Sequence, residues 1–429
     1  MGISYNPSIV TEGLVLGLDP QSTRSYVGSG TTWTDLTNRG NSGTLTNGPV
    51  FIPGGPFNNS GGSVLFDGDV DYLTLASSND FNFDGDFTIE AWIYFSSFTT
   101  YLPIIETRSS ASSTPYAFGV FDSSGYRLDF LYASSARITS SSLVTPNKWT
   151  HVSVTRSSST IRLFIDGVLD ANLNSYSPAI NASSSLRIGS IVDPIYFSGH
   201  ISNLRILKGT ALYTSNFTPP TGPLEAIDDT VLLTCQGGAI TDNGPSSHAI
   251  TVNNDAKAIT ASAFEFDGSN NYVSVSNSNS LNPLTNTLIC WAKSNTATWN
   301  EYGFLMSKRD VFIMHPNISS TSVSYYYNLN NTWVARTITV NNIQQWNMYA
   351  CSWDGTTLSA YLNGNLISSG VETGSLNTAD TGVLEIGKDD GYGSRVFNGN
   401  ISQVLIYNRA LTAAEVQQNY NTLRGRYGI

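Results

Sequence analysis

An all-β fold, two tandem antiparallel sandwiches with a short C-terminal helix, is what this 429-residue sequence predicts. Three observations carry the prediction. The chain repeats itself at a spacing near 200 residues, its repeated blocks alternate apolar and polar residues, and Asp-Gly or Asn-Gly pairs stand between apolar arms. The length exceeds one ordinary core, so two domains are expected. Charged residues make up 12% and aromatics 11%, a balance that suits strands and tight turns better than helices.

The repeat runs through five blocks in the same order. "GGSVLFDGDVDYLTL" from Gly61 answers to "ASAFEFDGSNNYVSV" from Ala261, with Phe66-Asp67-Gly68 over Phe266-Asp267-Gly268. Trp92 of "FTIEAWIYF" meets Trp291 of "NTLICWAKS", and Trp149 of "NKWTHVSVTRSSSTIRLFIDGVL" meets Trp346 of "QQWNMYACSWDGTTLSAYLNGNL". "LRIGS" then falls on "LEIGK", and "HISNLRILKGTALYTSNFTPP" on "NISQVLIYNRALTAAEVQQNY". A period near 200 is a domain duplication, far too long for a solenoid. In "FTIEAWIYF" the residues Phe87, Ile89, Ala91, Ile93 and Phe95 alternate with Thr88, Glu90, Trp92 and Tyr94, giving an apolar inner face and an outward polar one. Asp166-Gly167 and Asn363-Gly364 predict type I′ hairpins. One stretch reads as helix, "LTAAEVQQNYNTL", where Thr412 and Glu415 form a capping box. Pro219, Pro220 and Pro223 interrupt any sheet. The expected division is therefore an arm over residues 1–12, a sandwich over 13–220, a proline-rich linker over 221–229 and a second sandwich over 230–429.

Net charge of −11 without a Lys/Arg cluster argues against a nucleic-acid partner. The start "MGISYNPSIVTEGLVL" has neither a basic n-region nor a long apolar h-region, and no stretch reaches membrane-spanning length. The expectation is a protein made in a cytoplasm, with no signal peptide and no membrane insertion. Cys235, Cys290 and Cys351 sit in apolar runs and read as small core hydrophobes.

The ordered set "FDG…DYL", "FTIEAWIYF", "NKWTHVSVTR", "LFIDGVL", "LRIGS" and "GHISNLRILKGTALYTSNFTPP", repeated in more worn form, resembles the laminin-G-like branch of the concanavalin A-like lectin/glucanase superfamily. The resemblance implies two concanavalin A-like jelly rolls. The phrases from Gly13 to Phe51 and the ending "ALTAAEVQQNYNTLRGRYGI" are similar to virion proteins of tailed phages from marine and cyanobacterial hosts. That implies a virion location, other virion proteins as partners and a homo-oligomer as the usual state.

Glucanases similar to this family place their two carboxylates on one strand face, as E-x-D-x-x-E or E-x-D-x-E, and neither run occurs here. Glu90 is the sole carboxylate of its strand, and its counterpart is Ile289. His151, His200, His248 and His315 lack zinc spacing. No catalytic residue is assigned. The resemblance implies a rim Ca²⁺, for which Asp389 and Asp390 of "IGKDDGYGSRVFNG" and Asp193 of "IGSIVDPIYFSG" are the candidate ligands. Adjacent acids beside glycine are more often a solvated turn.

Recognition of a host-surface glycan then needs exposed aromatic faces amid polar neighbours. In "SVSYYYNLNNTWVAR" alternation sends Val323, Tyr325 and Tyr327 inward and Tyr326 with Asn328 outward. In "GYRLDFLYAS" it leaves Arg127 and Asp129 outward, and "SNTATWNEYGF" offers Trp299 and Tyr302 on a loop. A capsid decoration or fibre spacer that binds only other virion proteins is the competing expectation, and a glycan hydrolase the third.

Overall fold

The computed structural model of the chain describes all residues except 1–7, 29, 58–61, 96–100, 111–114, 121–124, 133–135, 177, 183, 193–194, 238–239, 255, 300–302, 390–394 and 428. The described residues are mostly strand, in four antiparallel sheets, with one helix at Ala413–Leu423. Two compact units form. One is Gly54–Thr260; the other joins Met1–Pro53 to Ala261–Ile429.

In the Gly54–Thr260 unit one sheet runs in the order Val168–Leu173, Thr160–Ile165, Thr150–Ser157, Phe87–Tyr94, Ser198–Lys208, Ser63–Asp67, Lys257–Ile259. The strand Ser198–Lys208 is long and bulged: its register against Phe87–Tyr94 shifts between Ser202 and Arg205. Its other edge is consequently shared, Ser63–Asp67 taking one end and Thr230–Thr234 the other. The second sheet runs Ala136–Leu143, Arg127–Tyr132, Tyr116–Val120, Leu102–Glu106, Leu186–Ile188, Tyr72–Leu75, Ile250–Asn253. Phe87, Ile89, Ala91 and Ile93 of one sheet meet Phe118, Leu128 and Phe130 of the other in a fully buried core, the sandwich that period-two patterning requires.

The other unit repeats this plan. Its long strand is Asn398–Tyr407, flanked by Asn286–Ser294 on one side and by Ala263–Asp267 and Leu14–Leu18 on the other. Its second sheet runs Thr32–Trp33, Gly43–Thr46, Tyr272–Val275, Leu384–Ile386, Met306–Lys308, Phe312–Pro316, Ser322–Leu329, Thr332–Thr339. Trp33, Phe264, Tyr325, Tyr327 and Trp353 lie in the core between the sheets.

The predicted hairpins are present, with Asp166 and Gly167 at φ 47° and 78°, and Asn363 and Gly364 at φ 49° and 81°. Asn330 and Asn331, at φ 50° and 64°, make another of the same kind that the sequence reading passed over. The helix has its capping box, Thr412 accepting from the Glu415 amide while the Glu415 carboxylate accepts from Thr412. All three cysteines are free and buried, and burial pushes the thiols of Cys235 and Cys351 up to about 12.

The division of the chain departs from the expected one. Residues 14–52, placed in the first sandwich by the sequence, pair instead with strands beyond residue 263. Residues 230–259, placed in the second, complete the unit that precedes them. The stretch 221–229 is no linker: Leu224 is buried, its amide donates to Asn203 Oδ1, and the Glu225 carbonyl accepts from Arg205.

Candidate functional site

The polar outward face expected for Phe87–Tyr94 is covered. Glu90 is fully buried: one carboxylate oxygen accepts from Arg205 at 2.6 and 2.9 Å, and the other lies 3.1 Å from His151 Nε2 and 2.9 Å from the Tyr213 hydroxyl. Burial alone would push its carboxyl up, and the hydrogen bonds and positive charge of His151 and Arg205 together bring it below the usual range. Tyr213 and Phe217, stacked 3.5 Å apart, belong to the segment that closes over this cluster. Glu90 thus holds a cover in place. Its counterpart Ile289 is also buried, and that face is covered by Val416 and Leu423 of the helix and by Tyr427 of the 3-10 turn after it, stacked 3.9 Å from Trp291.

The exposed candidate lies on the outer face of the sheet that holds Ser322–Leu329. Register places Ile313, Tyr326 and Ala335 in one row, His315, Ser324 and Thr337 in the next, and Asn328 opposite Trp333. The small side chains of Ser324 and Ala335 leave Tyr326 half-exposed, and Trp333 is 40% exposed. Tyr326 meets Trp333 edge-on at 6.4 Å and His315 at 5.6 Å. Phe304 packs edge-on to His315 at 4.6 Å, and the Arg395 guanidinium lies 5.8 Å from its ring. Burial, with a smaller contribution from the Arg395 charge, lowers the His315 pKa, so the imidazole is neutral at pH 7. The Asn328 carbonyl oxygen is buried without a hydrogen-bond partner among the described residues. The face thus sets a pair of edge-on rings beside amide, hydroxyl and imidazole groups.

The other expected site residues are dispersed. Trp299 lies on the loop expected for it but is not exposed: at 1% exposure it fills the core against Tyr349 and Phe397. Tyr302, Asp390 and Asp193 lie outside the described residues. Arg127 Nη1 donates to the carbonyls of Ser140 and Ser141, tying two strands together. Asp129 is on the outer face as expected but is fully buried, 3.2 Å from Arg137 Nη1. Asp389 is fully buried as well, bonded to Ser307 Oγ at 3.2 Å and to Arg309 Nη1 at 2.9 Å. No group of three His, Cys, Asp or Glu side chains suited to a metal occurs among the described residues. Trp333 and His315 are the site residues that sequence reasoning missed. Alternation across the Asn330-Asn331 turn is the signal that would have placed Trp333 beside Tyr326.

Two facing antiparallel sheets, one of them carrying a long bulged strand, define each unit as a jelly-roll sandwich. A laminin-G family model, described as the Concanavalin A-like lectin/glucanases superfamily, matches residues 67–212 and 267–417. The chain belongs to that superfamily. No curated protein matches the sequence. Among solved structures, the binding domain of Paraclostridial Mosquitocidal Protein 1 is similar at 15% identity and a TM-score of 0.33, over 39% of this chain and 46% of that one. Mouse laminin alpha1 LG4-5 is similar at 13% identity and a TM-score of 0.30, over 85% and 93%. The Ruminococcus gnavus IT-sialidase CBM40, bound to alpha2,3 sialyllactose, is similar at 16% identity and a TM-score of 0.31, over 36% and 94%. The chain spans under half the length of the mosquitocidal protein and botulinum neurotoxin serotype G binding domains, 46% and 43%. No helix among the described residues is long and apolar enough to cross a membrane.

Proposed function

We propose that this is a non-enzymatic, lectin-like adhesion protein of a phage virion, carried on capsid or tail and contacting carbohydrate on the host surface through the face around Tyr326 and Trp333. The observation that carries the reading is that pair of half-exposed, edge-on rings beside Asn328 and His315. The superfamily supports it, and so does the position of Glu90, whose carboxylate is enclosed by His151, Arg205 and Tyr213. A glycan array, followed by calorimetry on any hit, tests it. Trp333→Ala and Tyr326→Ala should each weaken binding about tenfold, equivalent to about 1.4 kcal/mol, with one site per chain. Silence across the array, or binding indifferent to both changes, rejects the reading.

A purely structural role in a decoration or fibre is favoured by one other observation. The edge strand Asn365–Val371 exposes Leu366, Ile367 and Val371 at 50, 51 and 77%, and an apolar open edge suits contact with a neighbouring protein.

A further inference from the structure

Residues 14–52 and residues 230–259 occupy equivalent places in the two units. Leu16 stands opposite Ile406 as Leu232 stands opposite Ile206. Leu45 faces Val273 as Val252 faces Leu73, and Phe51 faces Phe264 as Ala258 faces Val64. Each body of the repeat is therefore completed by strands from a segment outside it, four from residues 14–52 and three from residues 230–259. For the first body that segment follows at once. For the second it lies at the opposite end of the chain, and a whole compact unit, Gly54–Thr260, intervenes.

The two segments are not interchangeable. A Cβ on Gly43 would lie 2.5 Å from Val273 Cγ1, so the second body admits only glycine where the other segment carries Ile250. Trp33 and Tyr26 pack edge-on against Phe264 at 4.8 Å, and the first body offers Val64 at that position. Asp19 accepts from Gln403 and, at 2.6 Å, from Arg426; Asn41 bonds Ser278 and Ser280; the Val10 amide donates to Asn419. All of these partners belong to the second body.

We propose that residues 14–52 are a transferable strand donor whose partner is the second body of another copy of this chain, so that copies join by exchanging donors. Every acceptor is identical from copy to copy, so exchange keeps each of these contacts and gives up only the effective concentration of the tethered donor. The order of synthesis favours it too. The donor emerges before its acceptor by the whole of Gly54–Thr260, which at roughly 5–20 residues per second is on the order of ten seconds or more. Through that interval it finds no matching body in its own chain, while a neighbouring chain whose second body has not yet taken up its own donor presents one.

The full-length protein tests this. It is unfolded, refolded at chain concentrations of about 1 µM and about 100 µM, a hundredfold range that lies below millimolar tether concentrations, and weighed by light scattering after gel filtration. The exchanged dimer should rise at least tenfold between the two. Two chains that each carry one added cysteine, Val50→Cys and Glu265→Cys, then report its structure, because these residues are register partners on an outward face while the three native cysteines are buried. Refolded together and oxidised, they should give a covalent dimer; the double variant on one chain should close its disulfide internally when refolded dilute. A monomer at both concentrations overturns the proposal. So does a double variant that closes internally alongside single variants that never join. Should no variant form the disulfide, the light-scattering masses alone decide.

Discussion

Trp33→Ala separates the observed connectivity from a simple tandem order. Trp33 is fully buried, edge-on to Phe264 at 4.8 Å, in the core with Leu18, Tyr26 and Val273. Its indole nitrogen has no hydrogen-bond partner among the described residues, so the loss is one of packing. Truncating a buried Trp to Ala costs about 3–5 kcal/mol, a large part of the 5–15 kcal/mol that holds a typical domain folded. For a unit of this size the melting temperature should fall by roughly 6–20 °C. Calorimetry reads the shift, and hydrogen exchange with mass spectrometry reads its location. Protection should fall in strands 263–267, 286–294 and 398–407, more than two hundred residues away in sequence, and stay unchanged in 63–67, 87–94 and 198–208. The mirror change, Leu232→Ala, should invert the pattern, because Leu232 packs in the core of Gly54–Thr260. Trp33→Ala that loosens 63–208 and spares 263–407 would refute the connectivity and the donor proposal with it.

Removing Arg205 leaves Glu90 buried with His151 and Tyr213 alone. Arg205→Leu should therefore cost about 3–5 kcal/mol, read as a lower urea midpoint. The Glu90 carboxyl lies below its ordinary value in the folded chain. Its contribution is thus complete above the ordinary carboxylate range and lost as pH falls through the folded value, so Glu90→Gln should flatten the acid limb of the stability profile. Glu415, paired with Arg409 on the helix, is brought down to about 2; being partly exposed it contributes little, present above about pH 4.5 and lost toward pH 2. Thr412→Ala should cost about 1 kcal/mol through the lost cap, detectable as faster exchange of the Ala413–Leu423 amides.

The local rules read well from sequence because they depend on near neighbours. Asp166-Gly167 and Asn363-Gly364 had to turn, Thr412 and Glu415 had to cap, and alternation placed Val323, Tyr325 and Tyr327 inside. The pairing of segments with bodies was not legible in the same way. Opening segment, body, opening segment, body gives the same repeat spacing whichever segment serves whichever body. Only mutual fit decides, and Gly43 against Val273 or Trp33 against Phe264 is a fact about side chains two hundred residues apart. Trp299 and Asp389 failed as surface candidates for a related reason: a loop-like or turn-like phrase does not say what packs over it. Trp299 closes the core, and Ser307 and Arg309 close over Asp389.

The faces of the two units diverged in concert, and that ties specificity of assembly to the one exposed site. Glu90, His151 and Arg205 of one unit answer to Ile289, Met348 and Leu405 of the other, and each set carries its own cover, the segment with Tyr213 and Phe217 or the helix with Val416 and the 3-10 turn after it with Tyr427. Exchanging the covers would bury an ion cluster under apolar helix or lay polar chain on an apolar sheet, and a buried charge without its partner costs several kcal/mol. These covers bury Glu90 in one unit and Ile289 in the other. What stays open is the outer face of the opposing sheets. There one unit presents Asp129 beneath Arg137, a closed ion pair, and the other presents Tyr326 with Trp333. The two copies of the sandwich thus differ in where their aromatic surface lies, and the face with Tyr326 and Trp333 is the one on which the proposed sugar recognition rests.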